Sequence, residues 1–397
     1  MMTNIRKACS QTFALKAVAI TLFSWGATPS FAVDGAQLSS FGVIAGGMAG
    51  VSIALPQDSV SAANNPAGMG VVGSRFDFGL QGIEPQIDYE YGSANNHLHS
   101  GGVSVVPEGG FNLQINPRVT FGVSLFGVGL AANYGSPALS IPGAQIAKSS
   151  LQAMAAAPTV TYKFNEQNII GLSVVLAYER FSAEGIILPD ESGGLTTLPS
   201  HGVSRAFGYG GRIGYLWKPV PNFTLGAMIA TTIRMGRLSG YDNDILAAGG
   251  GRIDVPPEYG IGVSYEPVPA LKLAADWLHI SWSKTILGSA QTFSWKDQDV
   301  FRIGASYDIS RRWTIRAGFS YANPTFNSNA VAQNFLTPIE NGKTVSAGFT
   351  YRVSNKDEIS ALFEYGIPVN MHGTGPSEGF NVKTTTEVIG ITYGHKF

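Results

Sequence analysis

Apolar and polar side chains alternate along most of this chain beyond residue 74. The segment 313–321 shows the pattern, with apolar residues at every second position and Thr314, Arg316, Gly318 and Ser320 between them. Because side chains of a β-strand point to opposite faces in turn, the pattern predicts strands with one apolar face and one small or polar face. A soluble sandwich would carry Lys and Glu on the second face. The observed composition favours a barrel whose lumen is partly filled by protein.

Fourteen such segments follow one another, and the connections between them alternate between short and long. The strands are predicted near 74–89, 103–115, 119–132, 153–164, 168–183, 204–217, 223–235, 257–265, 271–282, 299–307, 313–322, 343–352, 358–365 and 387–397. Outer-membrane barrels combine short periplasmic turns with long external loops and an even number of strands. Residues 71–397 are therefore predicted to form an all-β, 14-stranded antiparallel transmembrane β-barrel.

Prolines and the last strand add detail to this assignment. Pro85, Pro107 and Pro158 lie inside predicted strands, and each predicts a bulge or a boundary error because proline has no N–H for the ladder. The last strand carries apolar residues at alternate positions and ends on Phe397. A final strand with an aromatic end is expected to be read by the barrel-assembly machinery, which places the protein in the outer membrane of a Gram-negative bacterium.

The first 32 residues have the pattern of an export signal. Basic residues precede an apolar run at 17–27, and Ser30 and Ala32 are small residues at the positions that a signal peptidase reads. Residues 1–32 are therefore predicted to be a cleaved signal peptide, which also removes Cys9, the only cysteine. Charged residues make up only 13% of the chain, and the formal net charge of −1 argues against a nucleic-acid partner.

Residues 33–70 differ from the rest because they lack the alternation and are rich in Gly, Ala and small polar residues. The apolar stretch 43–55 is too short to cross a bilayer as a helix, which needs about 20 apolar residues. Asn65 and Pro66 form a turn signal, since the residue before proline is pushed out of the helical region. The segment is predicted to be an N-terminal hatch (a plug in the lumen), and an ordinary linker is the alternative.

Specific sequence matches accompany this pattern. Gly-Gly-Met-Ala-Gly occurs at 46–50 and Asn-Pro-Ala at 65–67, and further matches are Asp276 with Trp282 and the segment 313–319. On these residues the chain resembles the FadL family of outer-membrane transport proteins, which includes the TodX-type hydrocarbon channels. The resemblance covers essentially the whole chain after residue 32. It implies a 14-stranded barrel, plugged by an amino-terminal hatch, that passes long-chain fatty acids or other hydrophobic compounds.

The same resemblance implies an opening in the barrel wall, because the third strand of this family carries an inward kink. Here the apolar phase of the third strand slips at Phe126, Gly127, Val128 and Gly129. A change of phase at glycine is typical of a bulge. These residues are therefore predicted to form a lateral opening toward the membrane. The alternative is that the lumen is simply apolar at this point.

No catalytic residue, metal ligand or cofactor site is assigned from the sequence. Gly-x-Ser recurs along the strands, but none of these runs has the second glycine of a nucleophile elbow. Arginines of the inward face, Arg316 among them, are suited to a carboxylate ligand through paired hydrogen bonds. The alternative is that these arginines pair with Asp58 and other acids of the hatch.

Together these observations predict a passive, monomeric channel for long-chain fatty acids or other hydrophobic small molecules. Ligand is expected to be captured by apolar residues of the external loops, to move to a pocket beside the hatch and to leave through the wall. The capture residues are Leu139, Ile141, Ile146, Ile186, Ile187 and Leu188. Outer-membrane lipid and lipopolysaccharide are expected to surround the barrel. Two other classes stay open, namely a structural or adhesive barrel and a barrel-embedded lipid hydrolase.

Overall fold

The computed structural model describes residues 34–189, 194–338 and 342–397. The predicted signal peptide, 1–32, lies outside these residues. Fourteen long strands in the described residues form the wall of the molecule. They are β1 Arg75–Glu90, β2 Ser104–Gln114, β3 Val119–Asn133, β4 Lys148–Asn165, β5 Asn168–Glu184, β6 Ser204–Val220, β7 Phe223–Ala230, β8 Glu258–Val268, β9 Leu271–Ile280, β10 Gln298–Asp308, β11 Trp313–Ala322, β12 Lys343–Arg352, β13 Asp357–His372 and β14 Asn381–Lys396.

The strands close into a barrel because the last strand pairs with the first. The β1–β14 ladder is antiparallel and runs without a register shift from Arg75↔Lys396 to Glu90↔Asn381. Each remaining strand pairs with its neighbour in sequence, including β6 with β7. The prediction of a 14-stranded antiparallel barrel is therefore confirmed. None of the helices in the described residues is long and apolar enough to cross a bilayer.

Large apolar side chains cover the outside of the barrel. Phe207 is 75% exposed and Ile229 is 62% exposed, and similar residues alternate with buried ones along every strand. Aromatic side chains mark the end with the short turns, where the ring of Trp313 lies 4.7 Å from that of Tyr351. An apolar band flanked by aromatic residues is the surface that a transmembrane barrel presents to lipid.

Some strands extend beyond their predicted bounds toward the long loops. β4 begins at Lys148 rather than 153, β13 continues to His372 rather than 365, and β14 begins at Asn381 rather than 387. In 381–387 both faces carry mainly Thr, Lys, Asn and Glu, so the alternation is lost although the ladder continues. β7 is shorter than predicted and ends at Ala230.

The bulges predicted at the three prolines are wrong. No register shift occurs at Pro85, Pro107 or Pro158. The ladder is instead incomplete beside each proline. β1 pairs with β2 only as far as Ile83, β2 pairs with β3 only from Gly109, and Pro158 has no partner on β5. A residue without an N–H is tolerated at Pro85 and Pro107 because one neighbouring strand is missing there, and at Pro158 because the ladder to β5 leaves that position unpaired.

Shorter elements lie inside the barrel and in the loops. Residues 34–70, called the hatch from here on, contain a one-turn α-helix, α1 (Val43–Gly46), and 3₁₀ helices at Ser61–Ala63 and Pro66–Gly70, nearly all of them buried. The loops contain short strands at His97–Ser100, Ile187–Pro189, Leu195–Thr197 and Arg234–Met235, and 3₁₀ helices at Tyr241–Asn243, Ala247–Gly249, Trp282–Lys284, Ile286–Gly288, Ser328–Ala330, Ala332–Asn334 and Gly375–Ser377.

Candidate functional site

The Asn-Pro-Ala turn of the hatch is held at the barrel wall by its first residue. Asn65 is fully buried, and its Oδ1 accepts a hydrogen bond of 3.0 Å from the N–H of Ala67, which caps the following 3₁₀ helix. Its Nδ2 donates to the carbonyl of Ile53 at 2.7 Å and to that of Tyr215 in β6 at 3.3 Å. Pro66 occupies the first helical position, where its missing N–H is harmless. The turn therefore lies against β5 and β6, not against the first strand.

Inward-facing glycines of the wall give this turn its space. A Cβ at Gly214 of β6 would overlap Oδ1 of Asn65, and a Cβ at Gly171 of β5 would overlap the backbone of Pro66. The same relation holds at Gly318 of β11, where a Cβ would meet the backbone of Met48. The small inward face noted in the sequence is thus the face on which the hatch backbone rests.

Carboxylates of the wall bind backbone amides of the hatch. Oε1 of Glu108 in β2 accepts from the N–H of Val43 at 2.6 Å, at the start of α1. Oδ2 of Asp276 in β9 accepts from Ser52 at 2.7 Å and from Ile53 at 2.9 Å. Both carboxylates are buried, and charge-assisted hydrogen bonds are stronger than neutral ones. The wall therefore fixes the hatch through directed polar contacts.

Arginines of the inward face are also engaged, though not with Asp58. Arg302 forms an ion pair of 2.6 Å with Asp34 of the hatch, and Arg212 pairs with Glu258 of the wall at 2.8 Å. Asp58 instead accepts from the N–H of Val60 at 2.9 Å. Burial, and then the nearby Asp77 carboxylate, raises the pKa of Asp58 well above its usual range.

Arg316, the predicted carboxylate ligand, lies near the end of the barrel with the short turns. Its Nε donates to Oε1 of Gln57 in the hatch at 3.0 Å, and its Nη1 donates to Oγ1 of Thr350 at 2.7 Å. Arg316 therefore lies at the opposite end of the barrel from the external loops. The structure does not bring it together with the predicted capture residues.

Aromatic residues close the lumen at the opposite end, under the long loops. The rings of Tyr134 and Phe335 are stacked with centroids 4.7 Å apart, and Tyr89 meets Phe335 edge-on at 5.0 Å. The rings of Trp282 and Trp295 meet at 5.0 Å. We call the residues 281–297 and 323–338, together with Tyr89 and Tyr134, the outer lid.

A pocket lies between the hatch and the outer lid. Its cavity is small, about 20 Å³, and its surface is mostly apolar. The hatch contributes Ala36, β3 contributes Val128, β4 contributes Leu151, and the lid contributes Trp282 and Leu287. This space holds about one water molecule, so a hydrophobic compound fits only when the side chains around it move apart.

Two acidic side chains are the ionisable groups of this pocket. Glu179 of β5 is 1% exposed, and its Oε1 has no hydrogen-bond partner among the described residues. Asp254 lines the same pocket, and its Oδ1 accepts from the N–H of Met235 at 2.8 Å. The described lining includes no Lys or Arg. A ligand carboxylate would therefore find no basic partner among the described residues of this pocket.

The ladder between β2 and β3 is interrupted beside this pocket. β2 and β3 pair only from Gly109↔Leu125 to the end with the short turn, whereas β3 stays paired with β4 as far as Asn133. The N–H of Asn133 donates to Oγ of Ser100 at 2.8 Å, which joins the two sides again above the interruption. We call the interruption, bounded by 104–108 and 126–132, the wall gap.

The four residues predicted to form a lateral opening all lie along the wall gap. Phe126 is 2% exposed and its ring lies 4.9 Å from that of Phe41 in the hatch. The N–H of Gly129 donates to the carbonyl of Ala36 at 2.9 Å, so the hatch takes the place of the missing strand. A Cβ at Gly127 would lie 2.7 Å from Val106 on the far side of the gap.

The predicted capture residues form a partly exposed apolar surface on the two loops 133–152 and 184–203. Ile146 is 43% exposed and Leu188 is 42% exposed. Leu139 and Ile141 are half-buried, whereas Ile186 and Ile187 pack against the cluster that contains the lid. The two loops touch, because a Cβ at Gly185 would lie 2.7 Å from the backbone of Ile146.

The sequence analysis missed the outer lid and the pocket carboxylates. Glu179 carried a usable signal, because it is an acid at an inward position of a strand whose other inward residues include Gly171, Ser173 and Ala177. The lid also left a signal, since large aromatic residues such as Trp295 and Phe335 occur in long external loops. Neither signal predicts which of the long external loops folds over the lumen.

Solved structures of hydrocarbon channels share this fold. The Pseudomonas putida toluene transporter TodX superposes with a TM-score of 0.73 at 20% identity, covering 91% of this chain and 99% of that one. A Pseudomonas aeruginosa FadL homologue gives 0.70 at 18% identity over 91% and 100% of the two chains. The Ralstonia pickettii toluene transporter TbuX gives 0.67 at 19% over 90% and 99%. No curated protein matches the sequence.

The solved structures show that the fold is shared. A sequence profile shows the family to which the chain belongs. The profile of the outer membrane protein transport family (OMPP1/FadL/TodX) matches residues 23–397, which is nearly the whole chain. The predicted resemblance and the outer-membrane location are thereby confirmed, and the hydrolase alternative is excluded because the family is one of transport channels. The chain belongs to the FadL/TodX family of outer-membrane channels for hydrophobic compounds.

Proposed function

We propose that this protein is a passive channel in which a hydrophobic small molecule enters under the external loops and leaves sideways through the wall gap. One observation carries the proposal: Val128 and Ala36 line the pocket and also lie at the gap. A compound in the pocket is therefore separated from the membrane-facing side only by the residues that line the gap. The apolar surface at Ile146 and Leu188 is the proposed capture surface.

The proposed ligand is an uncharged hydrophobic compound rather than a fatty-acid carboxylate. The pocket contains Glu179 and Asp254 and lacks a described basic residue. An ionised ligand in such an enclosed apolar site would lose its hydration without gaining a basic partner. The solved relatives named as toluene transporters are consistent with this class of ligand.

The wall gap can be tested by filling it. Gly127→Val places a side chain against Val106 and against Sδ of Met154, which a Cβ would approach to 3.0 Å. We expect uptake of radiolabelled ethylbenzene by whole cells to fall by about tenfold, because an overpacked gap cannot widen without displacing its neighbours. Uptake of laurate is measured in parallel and is expected to be lower than that of ethylbenzene in the unaltered protein.

Gly82→Val serves as the matched control, because a Cβ at Gly82 has ordinary contacts of 3.6 Å and faces the outside of β1. Heat-modifiable mobility on gels shows that each variant has a folded barrel. Normal ethylbenzene uptake in folded Gly127→Val would refute the sideways route. If the unaltered protein takes up neither compound, the channel proposal itself fails and a structural or adhesive barrel is the remaining interpretation.

A further inference from the structure

Two arginines lie directly opposite each other on the outer surface of the barrel. Arg180 of β5 and Arg205 of β6 are cross-strand partners in the ladder. Both occupy outward positions, because their sequence neighbours Glu179 and Ala206 are buried inside. Like charges directly opposite on one face of a sheet destabilise the pair of strands. This pair is therefore expected to have an anionic partner.

No such partner is present among the described side chains. Glu184, an acid on the same face of β5, already forms an ion pair of 3.0 Å with Lys148. Nε of Arg180 is buried and has no hydrogen-bond partner in the described residues. Arg205 is exposed. An anion that reached this pair would find donors from two guanidinium groups.

The arginines stand at the outer edge of the apolar band. β5 begins at a short turn and ends at a long loop, so its last residues lie at the external side. Below Arg180 the outward residues are Tyr178, Leu176 and Val174, and below Arg205 the next outward residue is Phe207. Aromatic residues prefer the interface between lipid tails and headgroups. The arginines are therefore level with the headgroups of the outer leaflet.

We propose that Arg180 and Arg205 bind a phosphate group of a lipid in the outer leaflet. The two arginines and the rings of Tyr178 and Phe207 line one open cleft on the barrel surface. Guanidinium groups bind phosphate through paired, charge-assisted hydrogen bonds. The aromatic side chains below supply the apolar contact that free phosphate lacks. This site is on the opposite side of the wall from the pocket, so it is independent of the proposed transport function.

The test compares the double variant Arg180→Gln/Arg205→Gln with the unaltered chain in detergent. Binding of bisphosphorylated lipid A is measured by the rise in the temperature at which the barrel unfolds on heat-modifiability gels. We expect the double variant to bind about tenfold or more weakly, since hydrogen bonds to charged groups are lost. Lipid A without phosphates is expected to give no such difference between the two proteins.

Arg311→Gln/Arg312→Gln is the matched control, because it removes two exposed arginines from the turn between β10 and β11. Its affinity for lipid A should equal that of the unaltered chain. Arg180→Lys/Arg205→Lys keeps the charge and should recover only part of the affinity, since Lys cannot form paired bonds. Equal binding of lipid A by the glutamine variant would overturn the site. Equal protection of the unaltered chain by inorganic phosphate would overturn the assignment to a lipid.

Discussion

The lumen is closed at two levels, and the two closures are built from different interactions. The hatch is held from the wall by directed hydrogen bonds, such as those from Ser52 and Ile53 to Asp276. The outer lid combines ring contacts, such as the stack of Tyr134 on Phe335, with hydrogen bonds from the same aromatic side chains, such as that from the Tyr134 hydroxyl to the carbonyl of Phe335. The lower closure thus rests on carboxylates and backbone amides, whereas the upper one is built around aromatic rings.

This difference bears on which closure a hydrophobic ligand can open. Moving the hatch would leave buried donors and carboxylates without partners, at about 1–3 kcal/mol for each group. The dispersion contacts among the rings of the lid can be replaced by contacts of the same kind with an apolar ligand. We infer that ligand enters through the lid while the hatch stays in place. A sideways exit is then the consistent route out.

The largest effect is expected from removing the polar closure altogether. Deletion of residues 34–69 should leave a folded barrel with ionic conductance raised on the order of tenfold or more, because the interior becomes a water-filled channel. Conductance is measured in planar bilayers, and folding is checked by heat-modifiable mobility. Unchanged conductance in a folded barrel would mean that the outer lid alone seals the lumen.

A smaller effect is expected from removing one wall carboxylate that accepts hydrogen bonds from the hatch. Asp276→Leu leaves the buried N–H groups of Ser52 and Ile53 without an acceptor, which destabilises the seated hatch by about 2–6 kcal/mol in total. Hydrogen exchange at these two amides should accelerate. Asp276→Asn retains an acceptor oxygen and is the matched control. If both amides exchange as slowly in Asp276→Leu as in the unaltered chain, these hydrogen bonds do not hold the hatch in place.

The smallest effect on conductance is expected from the apolar closure. Phe335→Ala removes the ring that stacks on Tyr134, and it should loosen the lid without raising ionic conductance, because the hatch remains seated. Entry of ethylbenzene should become faster. Tyr134→Phe, which removes only the hydroxyl that donates to the carbonyl of Phe335 at 2.8 Å, is the control. A large rise in conductance for Phe335→Ala would show that the lid seals against ions.

The sequence predicted those parts of the molecule whose pattern is set by the membrane. Alternation appears because lipid faces one side of each strand, so the strand order and the closed barrel could be placed from it. The Asn-Pro-Ala turn was also found, because Asn65 and Pro66 have strong local preferences. Where β14 extends toward the long loops, two of its buried positions are the polar Thr384 and Thr386, so the pattern fails.

The remaining features depend on contacts between distant segments. Glu179 becomes a pocket residue only because the loop around Asp254 and the lid residue Trp282 fold over it. Arg180 and Arg205 come together through the register of two strands, which no local pattern specifies. The surroundings of Arg316 likewise depend on a distant segment, since its guanidinium donates to Gln57 of the hatch.

Closure of the ladder between β1 and β14 also determines the order in which this molecule is assembled. The hatch comes first in the chain, yet its partners are spread around the circumference, from Glu108 in β2 to Ser346 in β12, whose Oγ accepts from the N–H of Ala49 at 2.7 Å. These contacts join residues far apart in sequence, which is typical of slow folding. The hatch therefore reaches its final position only once strands from β2 to β12 have formed around it.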